Sequence, residues 1–159
     1  MDPRVTQLCL GLIHQFEGSG GTFEPTRTTD PAGNYEIGWS HKLSGPDDPL
    51  WFATLDQDQA DGLALEDLQR TEAGIVETLG GTHYAALSPG QCAALIDFAY
   101  NEGVGKFAGS TLCHFIMVGA MHLVPAEFGK WVFGNVDGRE QVLDGLVRRR
   151  AAEVAIWNL

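Results

Sequence analysis

The sequence is most constrained by a long stretch without helical periodicity that lies between two helical segments. Residues 5–16 carry apolar side chains at helical spacing, after an Asp2-Pro3 pair that is typical of a helix start. From 18 to about 49 the chain is instead rich in glycine, proline and threonine, and apolar residues alternate with others over 35–40 as in a strand. Helical spacing returns after Leu55. We therefore expect a small lobe of short strands and turns attached to a helical body.

This pattern predicts an α+β fold that is mostly α. A chain of 159 residues can bury one core but is too short for two ordinary domains, so we expect a single domain over 1–159. Its small lobe covers about 18–55, and a long helix from Asp56 to Leu79 links that lobe to a larger helical lobe. The larger lobe covers about 80–159 together with the helix at 3–17. Further helices are predicted at 88–100, 110–118, 125–131 and 146–157.

Charge and hydropathy exclude several classes of function. A formal net charge of −11 argues against nucleic-acid binding, which depends on lysine and arginine to neutralise phosphates. No window holds the roughly 18 consecutive apolar residues that a membrane-spanning helix needs. The N-terminal apolar run also lacks the architecture of a secretory signal. We therefore expect no integral membrane segment, and a protein that stays in the cytoplasm until something releases it.

Cysteines and histidines give no sign of a metal site. Cys9, Cys92 and Cys113 form no close pair along the chain and are predicted to be reduced thiols in or near the core. The histidines show no metal-ligand spacing with acidic or thiol partners. The sequence therefore predicts neither a metal nor a cofactor.

Two carboxylic acids stand in contrasting local settings. Glu17 closes the first helix beside Phe16, where the negative end of the helix dipole and an apolar neighbour both disfavour its charged form. Asp30 lies in a glycine-containing turn, a polar setting in which a carboxylate stays charged. A proton donor and a water-activating carboxylate are the pair that glycoside hydrolysis requires. Most such pairs are only surface charges, so the spacing alone is weak evidence.

Motifs in the chain resemble the active-site signature of phage-type lysozymes, glycoside hydrolase family twenty-four. Phe-Glu-Gly at 16–18 and Asp-Pro-Ala-Gly-Asn-Tyr-Glu-Ile-Gly-Trp-Ser-His at 30–41 are similar to the family's Phe-Glu-Gly, Asp-Pro-x-Gly and Thr-Ile-Gly-Tyr-Gly-His. The resemblance covers nearly the whole chain, because it continues at 87–91, 98–105, 107–112 and 145–153. It implies a lysozyme-like fold and hydrolysis of the β-1,4 bond between N-acetylmuramic acid and N-acetylglucosamine in bacterial peptidoglycan.

Carried over by position, the resemblance implies that Glu17 is the general acid and that Asp30 works with the attacking water. The family's third catalytic position, a threonine, falls on Glu36 here. A glutamate adds a potential anion beside Asp30, could itself act as base or nucleophile, and would titrate with Asp30 as a coupled pair. Twelve residues separate Glu17 from Asp30, more than the family usually has, and we expect the extra ones within a surface turn over 19–29. Glu24 in that stretch is a rival carboxylate.

Other positions are candidates for substrate binding. The resemblance implies that Tyr100 and Asn101 face the sugar, although a core aromatic is nearly as good an interpretation of Tyr100. Lys42 and Ser110 are further candidates on general grounds of pocket chemistry. His41 closes the signature and is expected to anchor the small lobe rather than to carry protons.

The arginine run at 148–150 has two interpretations. It could clamp a carboxylate of the substrate, or it could form a helix face paired with nearby acids. The second interpretation is favoured, and the nearby acids are Glu140, Asp144 and Glu153.

Two alternatives to an ordinary muramidase remain open. Glu36 raises the possibility of a retaining or transglycosylating variant, which the stereochemistry of the product would reveal. The altered third position and the acidic composition also fit a protein that binds peptidoglycan without cleaving it. In either case the expected partner is bacterial peptidoglycan. As the family implies, we expect a monomer that waits in the host cytoplasm, is released with the help of a holin and acts on the cell wall in the periplasm.

Overall fold

The computed structural model describes residues 1–18, 21–30 and 32–159. Ser19 and Gly20 of the longer loop, and Pro31 of the signature, lie outside the described residues. The helices are α1 (Pro3–Phe16), α2 (Gln57–Leu79), α3 (Gly81–Ala85), α4 (Pro89–Glu102), α5 (Val104–Ala108), α6 (Thr111–Met117), α7 (Val124–Phe128) and α8 (Asp144–Trp157), with a 3-10 turn at Met121–Leu123. The strands are β1 (Glu24–Thr29), β2 (Tyr35–Gly38), β3 (His41–Lys42), β4 (Phe133–Val136) and β5 (Arg139–Val142).

Helix α4 lies at the centre of the helical lobe. Ser88 and Gln91 form a capping box at its start, which satisfies backbone groups that the first turn leaves unpaired. Residues 92–99 are all buried, because α1, α2 and α8 pack around the helix. Asp97 is the one acidic residue in that buried stretch, so it needs a partner within the protein.

The small lobe is a three-stranded antiparallel sheet in the order β1-β2-β3. Ile37 and Trp39 bury their side chains, whereas Glu36 on the opposite face of β2 stays partly exposed. Part of the stretch at 19–29, expected to be a surface turn, is the strand β1, which pairs with β2 and shifts register between Glu24 and Thr28. That expectation was wrong for 24–29, since glycine and threonine content does not exclude a short strand.

Helix α2 links the two lobes, as the sequence predicts. Its start is fixed by the Asp56 and Gln59 capping box. Near this end it packs on the sheet, where an ideal Cβ on Gly38 would lie 3.5 Å from the Cβ of Ala60. Towards its other end, Leu68 and Ile75 are buried as the helix packs on α4. The fold is therefore mostly helical with a small sheet, and the cleft between the lobes is bounded by elements from both.

A second hairpin, formed by β4 and β5, was not predicted from the sequence. Its turn is Asp137-Gly138, with φ of 51° and 79°. Asp-Gly between two runs with apolar residues is a strong hairpin signal, so the information was present in the sequence. The helix expected at 125–131 ends at Phe128, and the one expected from 146 begins at Asp144.

Two further findings concern the cysteines and membrane-spanning helices. Cys9, Cys92 and Cys113 are free and buried. Across the described ranges, no helix combines the length and the apolar character needed to cross a membrane.

Candidate active site

An open cleft of about 700 Å³ lies where the small sheet meets α2 and α4. Asp67 and Thr71 of α2 form part of its wall. Most of the residues singled out from the sequence line this cleft: Glu17, Asp30, Glu36, Lys42, Tyr100 and Asn101. The structure therefore brings together side chains that are far apart in the sequence.

Glu17 is held by a donor on each carboxylate oxygen. Its backbone N–H still bonds to Ile13 O at 2.9 Å, but its own backbone is extended, so the side chain turns away from the helix into the cleft. Arg149 Nη1 donates to Oε1 at 2.5 Å, and Ser40 Oγ donates to Oε2 at 3.0 Å. The side chain is only 12% exposed. Neither donor was predicted from the sequence, in which only the helix end and Phe16 lie near Glu17.

Asp30 is fixed by its own turn and by a lysine from β3. Its Oδ1 accepts the backbone N–H groups of Ala32 at 2.9 Å and Asn34 at 2.8 Å. Its Oδ2 accepts Lys42 Nζ at 2.6 Å and Asn34 Nδ2 at 2.9 Å. The Lys42 hydrogen bond, followed by those of Asn34, holds the pKa of Asp30 well below its usual range. Asp30 therefore stays charged at pH values at which an ordinary aspartate begins to take up a proton.

Glu36 lies across the strand pair from Lys42, which places both side chains on the cleft face of the sheet. Lys42 Nζ lies 2.9 Å from Glu36 Oε2 and 2.6 Å from Asp30 Oδ2, so one ammonium group bridges two carboxylates. Partial burial alone would lower the pKa of Lys42, but its hydrogen bonds to Asp30 and Glu36 raise it instead. A second anion near Asp30 was predicted from the sequence, whereas the cation between the two carboxylates was not.

Tyr100 and Asn101 line the cleft, and each also has a partner within the protein. The Tyr100 hydroxyl donates to Trp39 O at 2.6 Å, which ties α4 to the turn after β2. Asn101 Oδ1 accepts from Arg150 Nη2 at 2.9 Å. Both residues therefore shape the cleft whether or not they touch a ligand.

Ser110 and Glu24 are not among the residues that line the cleft. Ser110 is buried, donates to Phe107 O at 2.6 Å and accepts from Cys113 N at 3.1 Å, so it caps the start of α6. The pattern of a serine before an apolar helical run was a capping signal. Glu24 begins β1, where it pairs with Gly38.

His41 joins the sheet to the linking helix. Its Nδ1 bonds to Asp67 Oδ2 at 2.8 Å, and this hydrogen bond is the largest cause that raises the pKa of His41. The ring also borders the cleft. The anchoring role expected for His41 agrees with this contact.

In the arginine run at 148–150, one side chain lies at the surface and two lie in the core. Arg148 is exposed, whereas Arg149 and Arg150 are buried. Besides its contact with Glu17, Arg149 makes a two-pronged pair with Asp97, with Nε to Oδ2 at 2.9 Å and Nη2 to Oδ1 at 2.8 Å. Its guanidinium therefore joins the end of α1 to the centre of α4.

Arg150 Nη2 lies 2.8 Å from Glu153 Oε1, a close ion-pair contact without hydrogen-bond geometry. Glu153 is fully buried, and this burial, followed by the charge of Asp97, raises its pKa far above the usual range. Of the acids expected beside the arginines, Glu153 is a partner, whereas Glu140 and Asp144 are exposed.

The chain is similar in sequence to endolysins of phages. The chain is 31% identical over 155 residues to the endolysin of Bacillus phage PZA, covering 98% of this chain and 55% of that protein. It is 30% identical over 156 residues to the endolysin of Acyrthosiphon pisum secondary endosymbiont phage 1, covering 97% of both. The chain thus spans about half the length of the Bacillus phage relative.

The fold itself is similar to that of solved muramidase structures. The muramidase domain of SpmX from Asticaccaulis excentricus superimposes with a TM-score of 0.81 at 24% identity, covering 98% of this chain and 97% of that one. The phage lysozyme family model matches residues 14–153, a range that includes every carboxylate of the cleft described above. This protein belongs to the phage lysozyme family.

Proposed function

We propose that this protein hydrolyses the β-1,4 bond between N-acetylmuramic acid and N-acetylglucosamine in bacterial peptidoglycan. Glu17 is the general acid, and Asp30 is the carboxylate that activates water. The observation that carries this proposal is that one cleft brings together both carboxyl groups, one from the end of α1 and one from the turn after β1. A chain of the phage lysozyme family with this pair has what acid-catalysed glycoside hydrolysis requires.

Glu17 is suited to proton donation by its position and its restraint. With Arg149 on one oxygen and Ser40 on the other, the carboxyl group is oriented before a sugar enters. A bound sugar excludes water from the 12% of the side chain that is still exposed. The proton of Glu17 then passes to the glycosidic oxygen as the bond to the sugar carbon breaks.

Asp30 acts on the attacking water. Because Lys42 keeps its pKa low, Asp30 remains an anion that can orient the water and stabilise the positive charge that develops on the sugar. Glu36 supports this arrangement by holding the other side of Lys42. The pair of Glu36 and Lys42 adds no net charge where the family has a threonine. Asn101 and Tyr100 complete the sugar-binding surface.

The test is the isosteric replacement of each carboxylate. Glu17→Gln removes the acidic proton and is expected to lower the rate of wall clearing by about 100-fold or more, with the fold intact. Asp30→Asn is expected to have an effect of similar size. Glu77→Gln, at an exposed position of α2, is the matched control and is expected to clear at the unaltered rate. Retention of more than about a tenth of the activity by Glu17→Gln contradicts a general-acid role.

The products distinguish hydrolysis from the retaining or transglycosylating variant. Mass spectrometry of the released muropeptides is expected to show reducing ends, each with the mass of one added water. Anhydro products in the mass spectra, or a retained anomeric configuration when the fresh products are followed by NMR, would instead support the retaining or transglycosylating variant.

A second candidate is a peptidoglycan-binding protein without hydrolytic activity. It is favoured by one observation, the Lys42 bridge that occupies oxygens of both Asp30 and Glu36. The discriminating experiment compares the clearing of permeabilised cells with the sedimentation of the protein on purified walls, over several values of pH and ionic strength. Binding without clearing under every condition supports this candidate and contradicts the enzyme.

The route to the wall and the oligomeric state belong to the same proposal. We take the protein to be a monomer that waits in the host cytoplasm and reaches the periplasm through a holin. Expression with and without a holin tests the route, and lysis without the holin contradicts it. Light scattering on the purified protein measures its molar mass and so tests whether it is a monomer.

A further inference from the structure

Ser40 stands out in the turn between β2 and β3. Its φ is 63°, in the left-handed region that residues with a Cβ rarely adopt. Among the described residues other than glycine, Asp137 is the only other one with a positive φ. The phage-lysozyme signature has a glycine where this chain has Ser40, and a glycine would adopt this conformation without strain.

The turn that carries Ser40 is fixed on both sides. The preceding carbonyl, that of Trp39, accepts the Tyr100 hydroxyl at 2.6 Å. The following residue, His41, is bonded to Asp67 on α2 at 2.8 Å. These contacts hold the backbone on both sides of Ser40, and with it the direction of the bond from Cα to Cβ, without any help from the hydroxyl group.

That hydroxyl group points at Glu17. Ser40 Oγ donates to Glu17 Oε2 at 3.0 Å, opposite the oxygen that Arg149 contacts. The hydroxyl group donates to one lone pair of Oε2, so it can hold the carboxyl group while another lone pair carries the proton that passes to the glycosidic oxygen.

We propose that Ser40 is a positioning residue, whose hydroxyl group holds the Glu17 carboxyl in the orientation needed for proton transfer to the glycosidic oxygen. The proposal rests on the role of Glu17 as general acid. It also explains why a strained residue stands where a glycine would fit better: the backbone loses stability and the acid gains a second hydrogen-bond partner.

Two substitutions separate the effect of the Ser40 hydroxyl group from the effect of its strained backbone. Ser40→Gly removes the hydroxyl and the strain together, so the melting temperature is expected to rise. Ser40→Ala removes the hydroxyl and keeps the strain, so the melting temperature is expected to stay level or fall. With soluble peptidoglycan fragments as substrate, both variants are expected to lose about tenfold in kcat, the equivalent of one modest hydrogen bond. KM is expected to stay within about twofold, because no substrate contact is removed.

Asp137→Gly is the matched control. It relieves a positive φ in the hairpin of β4 and β5, whose residues do not line the cleft. This variant is expected to raise the melting temperature and to leave both kcat and KM unaltered. A loss of kcat in this control would attribute the effect at Ser40 to the backbone and overturn the proposal.

The two proposals fail in distinguishable ways. If Glu17→Gln is inactive while Ser40→Gly and Ser40→Ala keep the full kcat, the role of Ser40 is overturned and that of Glu17 stands. If the Ser40 variants change KM alone, Ser40 is a substrate contact and its positioning role is also overturned. If Glu17→Gln remains active, the general-acid assignment itself fails, and the inference about Ser40 fails with it.

Discussion

Lys42 Nζ lies 2.6 Å from Asp30 Oδ2, and this contact is the main cause of the low pKa of Asp30. The lysine reaches Asp30 from β3, held in place by the pairing of β3 with β2. The ionisation of Asp30, the proposed water-activating carboxylate, therefore depends on the small sheet rather than on the helical lobe.

Replacement of Lys42 by Met is expected to narrow the active range of pH at its acidic end. A carboxyl group with a lowered pKa stays charged until the pH falls through that low value, so loss of the lysine moves its protonation to higher pH. Because the hydrogen bonds from Asn34 remain, the pKa of Asp30 is expected to rise only part of the way to its ordinary value, and activity is expected to fall at a higher pH than in the wild type. The pH dependence of kcat/KM is the measurement.

Lys42→Arg is the control for this experiment, because it keeps a cation beside Asp30. In this variant, kcat/KM is expected to fall at the same acidic pH as in the wild type. An unmoved acidic limb in Lys42→Met would show that another group sets the ionisation of Asp30.

Glu36→Thr restores the residue that the family signature has at this position. Lys42 then keeps Asp30 as its remaining carboxylate partner, so the acidic limb is expected not to move upward, in contrast to Lys42→Met. Clearing activity is expected to stay within a few-fold of the wild type. Abolished activity in a folded Glu36→Thr variant would make Glu36 the base or nucleophile in place of Asp30.

Arg149→Met is expected to destabilise the fold by about 3–5 kcal/mol, because Asp97 would be left buried and charged without its partner. Urea unfolding monitored by circular dichroism measures this free energy. The neighbouring Arg148 is exposed, so Arg148→Met is the matched control and is expected to change stability by less than about 0.5 kcal/mol. Equal effects of the two variants would contradict the structural role of the buried pair.

His41 is expected to make stability depend on pH. Since its hydrogen bond to Asp67 raises its pKa in the folded state, the contribution is fully present below the unfolded value of 6.5 and is lost as the pH rises through the folded value. His41→Gln can keep a hydrogen bond without titrating, and is expected to flatten the decline in unfolding free energy above pH 6.5. His122→Gln, at an exposed position, is the control that is expected to keep the wild-type slope. The same slope in His41→Gln would assign the decline to other groups.

Features encoded locally in the sequence could be predicted from it. The capping boxes that start α2 and α4 lie within four residues each, and the end of α1 at Phe16 follows from the change in composition after Glu17. The same holds for the alternation in β2. The hairpin of β4 and β5 was equally local, and its Asp-Gly turn was overlooked.

The partners of the candidate acid could not be predicted in this way. Arg149 is 132 positions from Glu17, and Ser40 is 23 positions away. Only the packing of α8 against α1 and α4 places that guanidinium between Glu17 and Asp97. Periodicity and capping signals report what lies within a few residues, so they favoured pairing of the arginine run with acids nearby in sequence.

The contact of Arg149 with Glu17 also determines when the cleft can be completed during translation. Glu17 is synthesised before α8, which begins more than a hundred residues later in the chain. Until α8 docks, the candidate acid lacks one of its two donors and Asp97 lacks its counter-ion. A nascent chain therefore holds an incomplete cleft until α8 has been made and has docked on α1 and α4.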